Sequence, residues 1–181
     1  MRIVAGEFRG RRLKTPKGML TRPTQDRVRE TIFNVLTHHG LWDRKVLDLY
    51  AGTGALGLEA LSRGAESLVA VDQRTASLIK ENVELCQVAD RVRILRMDVE
   101  KAASILKGEK FSLVFSDPPY RQGGTEKTID LLEKHDLLAE EALIVLEFAR
   151  EEIIVAPPHW KMWKEQTFGE TKVQYFSYRK E

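Results

Sequence analysis

Between residues 45 and 148, short blocks of consecutive apolar residues alternate with stretches whose apolar positions recur every three or four residues. The blocks read as buried strands and the stretches as amphipathic helices. Strands are predicted at 45–50, 67–71, 92–97, 111–116 and 142–148, and helices at 56–63, 75–86, 100–106 and 127–134. Such alternation demands right-handed crossovers and a parallel sheet covered on both faces. The two ends of the chain follow other rules. Arg22-Pro23-Thr24 is a helix-start signal with Thr24 as cap, and Val28, Ile32, Val35 and Leu36 give the helix at 25–38 an apolar stripe. Residues 1–20 hold short apolar pieces, Ile3-Val4 and Leu13, between Gly6, Gly10 and Gly18, the pattern of a small hairpin or extended arm. Near the other end, 160–168 and 171–178 flank Gly169-Glu170 and must pair antiparallel. The expectation is an α/β fold whose Rossmann-like sheet is mostly parallel with an antiparallel C-terminal hairpin. A basic arm at 1–22 would precede a single domain at 23–181.

Composition narrows this picture. A chain of 181 residues supports one sizeable core. Its single cysteine, Cys86, excludes an internal disulfide and a thiolate zinc cluster, and fits a reducing compartment. Cys86 falls in a helical pattern and reads as a small core residue. No apolar run approaches the about 18 residues of a spanning helix, and the N-terminus lacks an apolar signal-peptide region. The expected location is the cytoplasm. The net charge of +2 hides an asymmetry: residues 1–30 hold nine cations and three anions, a surplus of six, so the remainder carries −4. A basic arm on a mildly acidic body suits a polyanionic partner, although cations also simply solvate a terminus.

The candidate chemistry gathers where strands are predicted to stop. Asp48-Leu49-Tyr50-Ala51-Gly52-Thr53-Gly54-Ala55-Leu56-Gly57 joins the first strand to its helix. Glycines there allow close backbone approach to a ligand, and the free N–H groups of the helix start point at it. Four successive predicted strands close on an aspartate: Asp48, Asp72, Asp98 and Asp117. In a parallel sheet those ends share one edge, where open α/β sheets bind ligands. Clustered carboxylates call for hydrogen-bond donors, such as a ribose diol, an amine and an ammonium. Gly52-Thr53-Gly54-Ala55-Leu56-Gly57 also matches the dinucleotide fingerprint, with Asp72 placed for a ribose. Asp48, four residues before the first glycine, would repel a pyrophosphate and welcome a cationic amino-acid moiety. No Lys-Ser/Thr follows the last glycine, which excludes a P-loop.

Asp117-Pro118-Pro119-Tyr120 carries the most specific chemistry. Two prolines fix the backbone, remove two N–H groups and leave rigid carbonyls facing outward. With the Asp117 carboxylate they form a pocket accepting hydrogen bonds from an –NH2 group, and Tyr120 offers a ring for stacking a flipped base. An exocyclic base amine is a poor nucleophile because its lone pair is delocalised. Acceptors on both its N–H bonds favour the pyramidal form, which frees that pair for a methyl electrophile.

Asp-Leu-Tyr-Ala-Gly-Thr-Gly followed by Asp-Pro-Pro-Tyr resembles a class I S-adenosylmethionine-dependent methyltransferase acting on a base amino group. Arg-Gly-Arg-Arg-Leu, Arg-Pro-Thr-Gln-Asp-Arg-Val-Arg-Glu, Gly-Ala-Leu-Gly-Leu-Glu-Ala-Leu-Ser-Arg-Gly-Ala and the late Phe-Gly-Glu-Thr-Lys-Val are similar to the RsmD family, bacterial methylases of N2 of one guanine in 16S ribosomal RNA. The likeness runs from about Arg2 to Arg179. It implies a class I methyltransferase fold, S-adenosyl-L-methionine as cofactor and S-adenosylhomocysteine as product. Backbone from Ala51 through Gly52 and Thr53 to Gly54 would meet the methionine part and ribose. Asp48 would take the ammonium, directly or through water. Asp72 with Gln73 would hold the ribose hydroxyls, and Asp98 with Val99 the adenine. Asp117, which also borders the cofactor, and the Pro118 carbonyl would hold guanine N2 while Tyr120 stacks. Either Asp117 or solvent would take the leftover proton. Arg9, Arg11, Arg12, Lys14, Arg22 and Arg27 would contact RNA.

The implied partner is 16S rRNA in a small subunit or an assembly intermediate; nothing in the chain points to a membrane or an obligate dimer. No metal is needed, and His38, His39, His135 and His159 lack metal-ligand spacing. Phe33, Trp160 and Trp163 read as packing. Rivals are an amino-methyltransferase for another RNA or DNA base, a non-catalytic RNA-binding module on the same fold, and a dinucleotide oxidoreductase. The intact Asp-Pro-Pro-Tyr argues against the last two.

Overall fold

The structure, a computed structural model, describes residues 1–17, the backbone of Pro23 and Thr24, and residues 25–180. The predicted cap by the Thr24 side chain, the glycine at 18 and the predicted RNA contact at Arg22 lie outside the described residues. Helix α1 (Pro23–Thr37) leads into β1 (Lys45–Leu49), α2 (Ala55–Ser62), β2 (Ser67–Val71), α3 (Ala76–Leu85), β3 (Val92–Leu95), α4 (Val99–Ile105), β4 (Phe111–Ser116), α5 (Gly124–Lys134) and β5 (Leu138–Ala149). The chain closes with the hairpin β6 (Trp160–Phe168) and β7 (Thr171–Tyr178). One seven-stranded sheet has the order β3-β2-β1-β4-β5-β7-β6. β1 to β5 pair parallel, while β7 pairs antiparallel with β5 and with β6.

Alternation along the strands sends side chains to two cores. Val46, Leu113, Phe115, Val145 and Tyr175 face α1 to α3, and Leu47, Val114, Ile144 and Phe176 face α4 and α5. Phe33 of α1 meets Phe115 at 5.7 Å between ring centroids. Trp160 is buried, and Trp163 packs edge-on to Tyr175, so both serve as packing. Cys86 is a buried core residue.

The stripe of α1 differs from the predicted one. Arg29, Ile32, Phe33 and Leu36 are its buried residues, with Val28 and Val35 only partly covered. A charged residue belongs to the buried face because Glu59 of α2 is wholly buried beneath it, 3.7 Å from the Arg29 Nε.

Residues 1–17 form a loose hairpin with one antiparallel bridge, Arg2 to Arg12, and bury Ile3, Phe8 and Leu13 in the α1–α3 core. Buried polar side chains of the body hold its backbone. Glu59 accepts from Val4 N (2.9 Å) and Ala5 N (3.1 Å), as well as from Arg63 Nε (3.0 Å). Ser62 Oγ accepts from Phe8 N (2.9 Å) and donates to Ala5 O (2.6 Å). Asn82 accepts from Lys14 N (2.7 Å) and donates to Lys14 O (3.0 Å).

Glu59→Ala would remove the buried one of the two carboxylates beside Arg29, leaving Asp26 at 3.2 Å, and would leave two arm N–H groups unpaired. Urea unfolding should show a loss of about 3–5 kcal/mol, with faster hydrogen exchange in residues 3–14.

Candidate functional site

The carboxyl edge of the sheet is a cleft over β3, β2, β1, β4 and β5. One cavity of about 820 Å³ is lined by Asp72, Gln73, Asp98, Val99, Pro118 and Lys127, among others. A second of about 610 Å³ is lined by Ala51, Gly52, Thr53, Arg29, Glu147 and Thr171. Tyr50, Asp117, Tyr120 and Gln25 border both, so the two are halves of one cleft.

The glycine turn is held from behind. Gly54, at φ 83°, is the left-handed N-cap of α2 and needs a residue without Cβ; the Gly54 N–H donates to Ala51 O at 2.8 Å. Thr53 O accepts from Asn82 Nδ2 at 2.8 Å. Asp72 reaches forward from the end of β2: its Oδ2 accepts from Gly52 N at 3.0 Å, and its Oδ1 from the N–H groups of Arg74 and Thr75. Asp98 caps α4 through Oδ1, accepting from Lys101 N at 2.8 Å, and has an oxygen with no partner among the described residues.

Asp48 departs from the expected row. It lies inside β1 rather than at its end, is only 2% exposed and lines neither cavity. Its side chain turns under α2, where Oδ2 accepts from Gly57 N at 3.3 Å. Gly54 is likewise behind the lining. Burial first, then the neighbouring Asp117 and Asp72 carboxyls, push Asp48 up to about 8 against the pull of the Gly57 hydrogen bond.

Asp117 opens into the cleft just beyond β4. Its surroundings withhold enough water to push its carboxyl up to about 6. Pro118 is buried against Gly124 at the start of α5, so tightly that a Cβ on Gly124 would sit 2.4 Å from Pro118 Cβ. Tyr120 does not stand alone as a surface ring: its hydroxyl shares a hydrogen bond with Thr171 Oγ1 at the start of β7. The hairpin turn Phe168-Gly169-Glu170-Thr171 therefore forms the far rim.

Glu147 is the residue that sequence reasoning missed. In the register Asp48–Phe115–Val145, the three strands present the same face, that of α1. Two residues beyond Phe115 and Val145 come Asp117 and Glu147, side by side. Neither carboxylate has a hydrogen-bond partner among the described residues. Burial, then repulsion from Asp117 and Asp48, holds Glu147 well above the usual carboxylate range. The available signal was one acid inside the apolar run Leu143-Ile144-Val145-Leu146-Glu147-Phe148-Ala149.

The predicted RNA-contacting cations are not brought together. Arg9 and Arg11 sit in the hairpin tip, which packs on the C-terminal ends of α2 and α3, at the sheet edge away from the cleft. Arg11 is already engaged, donating to Leu85 O at 3.3 Å and lying over the Phe8 ring. Arg12 and Lys14 are exposed on the strand that returns toward the turn, Lys14 with a weak pair to Glu81 at 3.8 Å. Arg27 is exposed on α1 and does not line the cleft; Gln25, Val28 and Arg29 do.

This donor set suits a cofactor with a diol, an amine and positive charge. Asp72 and Asp98 keep accepting capacity on one half of the cleft, and the crowded carboxyls beside the turn favour a cation. No helix among the described residues is long and apolar enough to cross a membrane.

Known proteins share this sequence and this fold. The model of a family described as conserved hypothetical protein 95 matches residues 1–177. The ribosomal RNA small subunit methyltransferase D of Escherichia coli strain K12 is 40% identical over 186 residues, covering 100% of this chain and 90% of its own. A solved methyltransferase from Escherichia coli superposes with TM-score 0.87 at 38% identity, over 99% of this chain and 98% of that one. A methyltransferase solved with S-adenosylhomocysteine shares the fold at TM-score 0.67 and 18% identity, over 85% of this chain and 49% of that one.

The buried Asp48 sets a sign for stability. The unfolded carboxyl ionises near 4 and the folded one near 8, so between these values the folded state binds more protons and stability falls as pH rises. Asp48→Asn keeps the acceptor for Gly57 and removes this part of the fall. Denaturant unfolding of the ligand-free protein should show the wild type losing more stability than the variant between pH 5 and 8, by at least about 1 kcal/mol.

Proposed function

The chain belongs to the conserved hypothetical protein 95 family, the family of ribosomal RNA small subunit methyltransferase D, and from that premise we propose that it methylates N2 of one guanine in 16S ribosomal RNA with S-adenosylmethionine. The observation that carries the reading is Asp117-Pro118-Pro119-Tyr120 set at the junction of the two cleft halves.

The cofactor spans the first cavity and the part of the second lined by the glycine turn, over β3, β2 and β1. Asp98 and Val99 would hold the adenine, Asp72 with Gln73 the ribose hydroxyls, and the backbone of Ala51, Gly52 and Thr53 the methionine part. When bound, S-adenosylmethionine supplies a methyl carbon on a sulfonium, which passes to N2 as the sulfur keeps the electron pair of the broken bond. No metal is required for an electrophile already so activated. Asp48 acts from behind the turn by its field on the positive charge, since Gly57 separates it from the cavity.

The base sits at the junction, where Pro118 lines the first cavity and Asp117 and Tyr120 line both, and extends toward β5 and β7. The Asp117 carboxylate and the Pro118 carbonyl accept from the two N2 hydrogens, which sharpens the nitrogen lone pair. Tyr120, fixed by Thr171, stacks on the ring. Asp117 takes the proton that N2 sheds after transfer; a carboxyl raised to about 6 is a better base than an ordinary aspartate.

Residues 1–22 are the RNA-facing extension of a methyl-transfer domain at 23–181. Phosphate contacts belong to exposed cations that flank the cleft side, Arg12, Lys14 and Arg27, with Arg22 between them in the chain. Arg9 and Arg11, at the other edge, reach RNA only if it wraps the body. The substrate is a small subunit or an assembly intermediate.

The test is labelled methyl transfer to small subunits from a strain lacking the enzyme, with nucleotide mapping of the product. N2-methylguanine at one position is expected; a methylated adenine or cytosine would overturn the reading. Asp117→Ala should reduce transfer at least about a hundredfold while calorimetry shows little change in S-adenosylmethionine affinity. For the arm, Arg12→Glu with Lys14→Glu should weaken RNA binding about tenfold and flatten the slope of log K against log salt by about 1.5 to 2, with cofactor affinity unchanged.

A further inference from the structure

The cleft has a carboxylate that the reading above leaves without a task. Glu147 stands on β5, beside Asp117 and on the side away from the glycine turn. Along the sheet edge the order is Asp98, Asp72, the turn, Asp117, Glu147, Thr171, following β3-β2-β1-β4-β5-β7. Glu147 shares its cavity with Ala51, Gly52 and Thr53 of the turn as well as with Asp117 and Tyr120, and it stands one strand beyond Asp117, where a base held by Asp117 extends on the side away from the turn. The Glu147 carboxylate has no hydrogen-bond partner among the described residues.

We propose that Glu147 accepts the N1–H of the target guanine, next to Asp117 on N2, and so determines that the enzyme takes guanine. This rests on the reading of the cleft as a guanine-N2 site. Neighbouring strands lie about 4.8 Å apart, and carboxylates reaching inward from two of them converge on adjacent groups of one base edge. Guanine alone among the four bases presents an amine and a ring N–H side by side on its pairing edge. Adenine and cytosine place a ring-nitrogen lone pair beside the amine, which a carboxylate repels. Uracil has the ring N–H and no amine. The positive charge of bound cofactor nearby holds both carboxyls in the accepting, ionised form. Asp117 serves the reacting nitrogen in any amino-methyltransferase; Glu147 reads the atom beside it.

The experiment compares two target RNAs, one with guanine and one with 2-aminopurine at the methylated position. 2-Aminopurine keeps the N2 amine and carries a lone pair where guanine has N1–H. For the wild type, kcat/KM should fall about a hundredfold or more with 2-aminopurine. Glu147→Gln, whose amide can donate to that lone pair, should bring the two substrates to within about tenfold of each other, with S-adenosylmethionine affinity by calorimetry unchanged. Equilibrium binding of both RNAs in the presence of S-adenosylhomocysteine should show the same narrowing. Wild type using both RNAs equally well overturns the proposal, and this arm needs no variant to fold. So does a variant that folds, judged by its thermal transition, and keeps the wild-type ratio. Loss of cofactor affinity in Glu147→Gln with the ratio intact also overturns it and assigns Glu147 to the cofactor's ammonium. In these three cases wild-type methylation of guanine N2 still stands. Absence of that methylation fells the underlying reading and this inference with it.

Discussion

Parallel strands in register bring their ends to one edge, and here that edge carries acids. Asp48, Asp117 and Glu147 occupy three adjacent strands on the same face, with Asp72 and Asp98 beyond them. At about 5 Å and an effective dielectric near 20, two ionised carboxylates repel by about 3 kcal/mol. Burial raises Asp48 to about 8 and Asp117 to about 6, and for Asp48 the neighbouring Asp117 and Asp72 carboxyls add to it. A ligand that brings positive charge and N–H donors relieves the same repulsion.

The arm depends on a different constraint. A hairpin with one bridge cannot hold itself together in water. Its backbone is instead held by Glu59, Ser62 and Asn82, polar residues buried on α2 and α3 that have the arm's N–H and C=O groups as partners. Asn82 also donates to Thr53 O in the glycine turn. One amide thus ties together the segment that carries Lys14 and the glycine turn, so a displacement of either is felt by the other.

How much of this could be read in the residues differs by element. β2, β4, β6 and β7 fall where the apolar runs placed them, because a buried strand is a run with clear polar ends. β5 begins four residues earlier than predicted, at Leu138, and a register shift between Phe111 and Leu113 accommodates the polar Glu140-Glu141. α5 begins at Gly124, three residues before the pattern becomes periodic, since glycine carries no hydrophobic signal. The turn and the Asp-Pro-Pro-Tyr were legible because their residue types are demanded by local geometry. Arg29 and Glu147 were not, because each is a charge on a buried face whose reason lies in a distant element. For Arg29 that element is α2 with Glu59; for Glu147 it is β4 with Asp117. Hydropathy treats such a residue as an interruption, and only tertiary pairing shows it to be a feature.

The burial of Asp48 clarifies how a row of acids can serve a transfer reaction without blocking it. An ionised carboxylate lying directly against the methyl group would compete with N2 for the electrophile. Asp48 is withdrawn beneath α2, with Gly57 N–H across its oxygen and the glycine backbone between it and the cavity. Once ionised by a bound cation, a carboxylate in that low-dielectric position would be felt across the turn while its lone pairs stay out of reach. Asp117, by contrast, opens into both halves of the cleft just past the end of β4. The sheet thus sorts its carboxyls by depth. Asp48 lies inside β1 beneath α2, Asp72 and Asp117 lie one residue past the ends of β2 and β4, Asp98 lies three past β3, and Glu147 lines the cavity from within β5.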